Sequence, residues 1–236
     1  MTGTRPRRRR LVRLIVGAVV VLALLLVGGP FVYIHFIEGT APKKLSLPAD
    51  TSSKGHAGAA APTGQWVVTS ATTVGYRVSE VLVGQSQVAV GRTHSVTGTV
   101  GVTGPSVTAA NFTVQMATVH SNEAQRDTQF DDRIMDVAQF PTATFMLTAP
   151  IALGRIPTEG RTIRATASGI LMLHGQSHRV TFAVEARYTG TVMDINGSIP
   201  VLFSHWGIEN PSFGSFVTTA DHGTLEFLLV LQPSAA

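Results

Sequence analysis

The segment Gln125 to Phe145, QRDTQFDDRIMDVAQFPTATF, gathers Asp127, Asp131, Asp132 and Asp136 with Arg126 and Arg133. Two carboxylates held a few ångströms apart can share the work of glycoside hydrolysis, one as acid and one as base or nucleophile. Asp127 and Asp131 stand four residues apart, one helical turn, beside the two arginines. Acids early in a short helix complement its dipole, and ion pairs tie neighbouring elements together. The spacing therefore favours a structural lock. In it a short helical flap is pinned by charge pairs, with Arg126 and Asp127 as the leading pair.

Other chemistry finds less support. His174 and His178 lie either side of a Gly turn, but imidazole pairs need further ligands to hold zinc. His120, His205 and His222 have no spacing that demands a shared site. The chain has no cysteine, which removes disulfides, thiolate zinc sites and Cys nucleophiles. No lysine follows Lys54, so a Ser-Lys scheme is absent, and there is no G-x-S-x-G elbow. Neither a metal nor a cofactor is expected, and the chain is read as a binder rather than an enzyme. The stretch WGIENPSFGSF, Trp206 to Phe216, reads equally as a mouth loop touching a ligand or as an exposed connection anchored by Trp206 and Phe213.

The elements that must position these residues have a period of two from Trp66 onward. Phe112, Val114 and Met116 alternate with Asn111, Thr113 and Gln115, and Ala143, Phe145 and Leu147 with Thr142, Thr144 and Thr148. Val180 to Tyr188 and Leu225 to Leu231 repeat the pattern. Short strands with turn signals between them predict an all-β antiparallel sandwich or barrel. The acidic segment breaks the rhythm. Phe130, Ile134, Val137 and Ala138 mark one face of a helix, Asn122 and Gln125 resemble a capping box, and Pro141 ends it. Asn196-Gly197 is a strong hairpin signal, yet Thr189-Gly190 also offers a turn.

Charge and hydropathy divide the chain. Met1 to Arg13 carries six arginines and no acid, and Leu14 to Ile34 is 21 residues without a charge. A helix of that length spans roughly 31 Å, about the thickness of a bilayer core. Gly39-Thr40-Ala41, followed by Pro42, is a weak cleavage signal. The expected organisation is a cytoplasmic basic tail over 1–13, a transmembrane anchor over 14–37, a flexible linker over 38–64 and a β domain over 65–232. The arginine-rich side stays in the cytoplasm, which places the β domain outside. From Gln65 to Ala236 there are nine arginines, no lysine and twelve acids, a formal charge of −3. The pI near 10.0 thus belongs to the tail, and nucleic acid is excluded as a partner of the domain.

Four blocks in order resemble the YceI-like family of polyisoprenoid-binding proteins. They are Arg126-Asp127 followed by the short helix and FPTATF, then GILMLHGQSHRVTF (Gly169 to Phe182), IPVLFSHWGIENPSFG (Ile199 to Gly214) and DHGTLEFLLVL (Asp221 to Leu231). Where the family often carries a His-Ser pair in its first strand, this chain has VTSATTVGYRVSE. The resemblance implies a lipocalin-like antiparallel barrel with a short helical insertion. It also implies a turn near Gly190, with Asn196-Gly197 inside the next strand and room there for a bulge. The implied partner is a polyisoprenoid or other long-chain lipid, with Phe112, Met116, Phe145, Leu147, Leu171, Leu173, Phe182, Trp206 and Phe213 as its contacts. The acidic segment then gains a second reading, contact with a polar lipid head. Inward Gly98, Ala143, Ala165 and Ala167 leave volume unfilled, which favours a cavity over a solid core. The alternative is a surface interaction domain whose barrel is filled by its own side chains.

Overall fold

In the computed structural model, which describes residues 15–22, 41–49, 62–82, 84–212 and 217–234, the period-two segments become one closed antiparallel barrel. Its strands are β1 (Gly64–Val68), β2 (Thr73–Leu82), β3 (Gln85–Thr93), β4 (Val96–Thr103), β5 (Ser106–Gln115), β6 (Thr142–Leu147), β7 (Ile151–Ala152), β8 (Thr162–Leu173), β9 (Gln176–Tyr188), β10 (Met193–Leu202), β11 (Val217–Thr219) and β12 (His222–Pro233). β1 and β2 lie end to end along β12, and β3 and β4 continue one another beside them. Counting each of these two as one broken strand, the wall is an eight-stranded meander that closes where β12 meets β1 and β2.

The break between β1 and β2 is stitched by a side chain. Thr72, fully buried, accepts the Val230 N–H at 2.9 Å through its hydroxyl and donates to the Val230 carbonyl at 3.2 Å. It thus replaces ladder bonds that the kink removes. The hairpin ambiguity resolves at Gly190. The chain turns over 189–192, with Thr189 N–H bonded to the Val192 carbonyl at 2.9 Å. Asn196-Gly197 lies within β10, whose register against β12 runs without a bulge.

Between β5 and β6 sit an α-helix, Ala124–Gln129, and a π-turn, Phe130–Ile134, closed by Met135 N–H to the Phe130 carbonyl at 2.9 Å. The π-turn corrects the predicted apolar face. Its extra residue rotates the chain by about 100°, so Met135 is buried with Phe130 and Val137 while Ala138 is exposed. The Asn122–Gln125 capping box does not form; Ser121 Oγ instead accepts the Glu123 N–H at 3.1 Å.

The antiparallel order places the β2–β3 turn, the helical insertion, the His174-Gly175 turn and the 203–221 connection at one end of the barrel. The β4–β5 turn, the 148–161 connection and the 189–192 turn lie at the other. An apolar cluster around Met116, Phe130, Leu171 and Trp206 fills out the insertion end, and one around Trp66, Val100, Tyr188 and Leu231 the opposite end.

The predicted linker behaves differently over 41–49. Here the chain lies extended against the outer wall. Arg77 Nη2 donates to the Pro42 carbonyl at 2.7 Å, Arg92 donates to the Lys43 carbonyl, Leu45 N–H donates to Glu226 Oε2 at 3.3 Å, and Arg187 donates to the Pro48 carbonyl. Glu226 faces outward between inward Leu225 and Phe227, yet is only 5% exposed. Arg77 at 3.4 Å and Arg92 at 2.9 Å compensate its charge. Residues 15–22 are helical. Among the described residues no helix is long and apolar enough to cross a membrane; most of the predicted span 14–37 lies outside them.

Candidate functional site

The barrel encloses a cavity of about 820 Å³ that runs along its axis, bounded by residues from nearly every strand. Phe112, Met116, Phe145, Leu147, Leu171, Leu173 and Phe182 all stand on its wall, as do Ala143, Ala165 and Ala167. Strands of this length make the space long and narrow: β9, with 13 residues, extends about 43 Å at 3.3 Å per residue. An eight-stranded barrel is just wide enough to hold one ligand.

Large rings line this lumen without filling it because glycines receive them. A Cβ at Gly98 would fall 2.4 Å from the Phe112 ring, one at Gly169 2.4 Å from Phe145, one at Gly197 2.5 Å from Phe227, and one at Gly91 2.3 Å from Tyr76. Each ring therefore lies on a neighbouring strand's backbone. Gly98, expected to leave volume open by itself, does so indirectly, by letting Phe112 lie flat. The hairpin signal at Gly197 has the same explanation: the glycine is a seat for Phe227 and not a turn.

The two ends of the cavity differ. At one, Trp66 and Tyr188 meet edge to face with ring centroids 5.8 Å apart. Their polar atoms are satisfied by backbone: Trp66 Nε1 donates to the Pro62 carbonyl at 3.0 Å and the Tyr188 hydroxyl to the Gly190 carbonyl at 2.5 Å. At the insertion end the wall turns polar. Glu80 Oε1 accepts from Gln87 Nε2 at 2.7 Å and from Arg126 Nη2 at 3.2 Å. Tyr76 stacks on Phe130 with centroids 5.2 Å apart and planes inclined by 11°. Burial pushes its hydroxyl well above the usual range, against the pull of Arg126.

Arg126 thus pins the helix to β2 through Glu80 and not through Asp127, which corrects the expected pair. Asp127 turns the other way. Its Oδ1 accepts the Ser121 N–H at 2.8 Å and its Oδ2 lies 3.3 Å from His120 Nδ1. Arg133 donates to the Pro211 carbonyl at 3.2 Å and so ties the π-turn to the 203–221 connection. Trp206 is buried but off the cavity wall; its carbonyl lies 3.0 Å from His174 Nδ1, and its ring meets His178 edge-on. Trp206 is thereby an anchor beneath the β8–β9 turn. Phe213 lies outside the described residues. Among the described residues no three His, Asp or Glu side chains are grouped to hold a metal.

The sequence profile of the YceI-like domain matches residues 66–231, nearly the whole barrel. The chain belongs to the YceI-like domain family. Two solved structures share the fold of this YceI-like barrel. Burkholderia cenocepacia BcnA is 22% identical, with a TM-score of 0.54 over 69% of this chain and 98% of that one. A polyisoprenoid-binding domain of Saccharophagus degradans, implicated in plant cell wall breakdown, is 12% identical, with a TM-score of 0.58 over 73% of this chain and 99% of that one. No curated protein matches the chain.

Sequence reasoning missed Tyr76, Glu80 and Gln87 of this YceI-like barrel. A signal was there. Val74, Tyr76, Val78 and Glu80 share one face of β2 by strict alternation, which sets a carboxylate and a phenol on an otherwise apolar lumen. The partner of Glu80 was not readable, because Arg126 lies 46 residues away.

Proposed function

We propose that this YceI-like protein is a membrane-tethered carrier that holds or hands over an isoprenoid, or a similar long-chain amphiphile, outside the cytoplasmic membrane. The carrying observation is the axial cavity of about 820 Å³, lined by apolar side chains and kept open by glycines. A barrel filled by its own side chains, the alternative surface-interaction reading, has no use for such a volume. Family membership and the fold shared with a polyisoprenoid-binding domain support the ligand class. Such a role is binding and not turnover, since transfer needs shape and apolar area rather than a nucleophile.

The tether rests on the charge-free stretch after six arginines and on the helical residues 15–22, whose apolar side chains are all exposed. A helix apolar on every side needs an apolar surrounding. Holding the barrel at the bilayer raises its effective concentration near the ligand's source. The test fills the lumen. In the full-length chain, Ala143→Phe or Ala167→Phe should abolish uptake of a long isoprenoid probe while circular dichroism stays β-rich, with overpacking costing about 1–3 kcal/mol. Bulky variants that unfold, beside a wild type that takes up no isoprenoid probe, would overturn the carrier reading in favour of a solid core.

A further inference from the structure

The segment 41–49 follows one line along the outside of the barrel, and its fixed points take successive positions beside β12. Arg77, which donates to the Pro42 carbonyl at 2.7 Å, pairs across strands with Thr224. Arg92, which donates to the Lys43 carbonyl, stands opposite Gly75, whose other neighbour is Glu226. Glu226 itself accepts the Leu45 N–H at 3.3 Å. Arg187, which donates to the Pro48 carbonyl, pairs with Asp194, opposite Val230. From Pro42 to Pro48 the segment thus keeps pace with β12 from Thr224 to Val230, in the same direction. β12 starts at the insertion end, where the 203–221 connection delivers it. The segment therefore enters the wall nearer the insertion end and leaves it toward the opposite end, where β1 begins beside Val102.

The wall is built for this path. Glu226 and Arg187 belong to the outer face yet are 5% and 7% exposed, a burial that charged side chains tolerate only when paired and hydrogen-bonded. Three guanidiniums hold backbone carbonyls, so the grip does not depend on the segment's own side chains. Leu45 and Leu47 are half-buried while Ser46 and Pro48 are exposed, the alternation of a strand with its apolar side inward. Resting on the membrane tether proposed above, we infer that this strap aims the barrel: by docking 41–49 on the outer wall, it makes the insertion end the surface that faces the bilayer. The anchor over 14–37 ends five residues before Pro42, at most about 18 Å of extended chain. Undocked, the segment 38–64 could reach about 90 Å and would let either end face the membrane. Lys43 and Lys44, both exposed, stand where the strap begins, and an anionic bilayer surface attracts such cations.

The chain has no cysteine, so a single introduced one takes a fluorophore at a known place. Ser86→Cys marks the insertion end and Thr103→Cys the opposite end; both positions are exposed. Each labelled full-length chain is assembled in phosphatidylcholine nanodiscs containing a lipid with a nitroxide on its head group. The two ends of a tilted eight-stranded wall stand roughly 30 Å apart along the axis, so the Ser86→Cys label should be quenched at least about threefold more than the Thr103→Cys label. About twenty Gly and Ser residues are then inserted at one of two places, adding roughly 25 Å of reach. Inserted after Thr40, ahead of the strap, they should bring the ratio of quenching close to one. Inserted after Ser53, behind it, they should leave the ratio unchanged. Equal quenching in the uninterrupted chain, or the same loss from both insertions, would overturn the strap, and stronger quenching of Thr103→Cys would overturn the orientation. All three results leave the tether and the carrier reading standing. A chain that does not enter nanodiscs at all would defeat the tether, and the inference with it, before any quenching is read.

Discussion

Trp66 and Tyr188 close one end of the lumen, and Tyr76, Glu80 and Arg126 border the other; the two ends use similar residues to opposite effect. At the closed end Tyr188 lines the cavity with Trp66 packed edge-on against it, and each sends its polar atom back to a nearby backbone carbonyl. Nothing is left over for a guest. At the insertion end the aromatic body is equally well packed, stacked on Phe130, but its hydroxyl is left open among charges. The contrast teaches that burial alone does not mark a binding position. What separates the two ends is whether the hydroxyl is spent on the protein's own backbone, as that of Tyr188 is.

The largest expected effect breaks the closed end. Trp66 is 3% exposed and sits among Val100, Val102 and Leu231. Trp66→Ala should cost about 3–5 kcal/mol in denaturant unfolding, the usual loss for a large aromatic in a core. Next is the lock at the polar end. Arg126→Ala strands Glu80, a largely buried carboxylate left with Gln87 alone. A loss of about 2–3 kcal/mol is expected, partly recovered when Glu80→Gln is added. Full cost without recovery would show that Arg126 acts through other contacts.

A sharper cut comes from the paired tyrosines. Tyr188→Phe should cost about 1 kcal/mol, because it deletes a made hydrogen bond. Tyr76→Phe in the ligand-free protein should be nearly neutral or stabilising, because its hydroxyl makes none. Equal costs for the two would erase the difference between the ends. The smallest effect concerns pH. Burial pushes the Asp131 carboxyl above its ordinary range, with Asp127 and Asp132 adding to the rise and His120 opposing it. A group that binds its proton more tightly when folded gains stability as pH falls through its raised folded value toward its unfolded one. Asp131→Asn should therefore raise the melting temperature at neutral pH, and that advantage should shrink on acidification. An advantage that grows toward acid would contradict the burial.

Much of the wall was legible because alternation is local. Phe112, Phe145, Leu171 and Phe182 follow from a period of two and need no tertiary knowledge. Trp206 was read as a possible ligand contact because an aromatic in a Gly- and Pro-rich stretch looks the same whether it meets a guest or anchors a turn. Its role depends on His174 and His178, which reach it only through the β8–β9 hairpin. Arg126 does join the insertion to the barrel, but its partner Glu80 comes from a strand far earlier in the chain, and adjacency suggests Asp127 instead. The π-turn escaped notice because i, i+4 spacing is drawn for an α-helix, and one inserted residue moves Met135 into Ala138's expected place. The segment 41–49 has a linker's composition. What holds it is outside it, in the outward Arg77, Arg92 and Glu226, which only the pairing of β12, β2 and β3 brings together.

The central claim is that the lumen carries a guest, and chemical analysis of the protein as it comes from the cell tests it most directly. The full-length chain, purified from membranes alongside Ala167→Phe, is extracted with organic solvent, and the extract is measured by mass spectrometry against bulk membrane lipid. The account predicts a long isoprenoid or similar amphiphile, enriched over its share of the membrane in the wild type and missing from the filled variant. A wild-type extract that matches bulk lipid, from a protein that also refuses an added isoprenoid hydrocarbon, would contradict it.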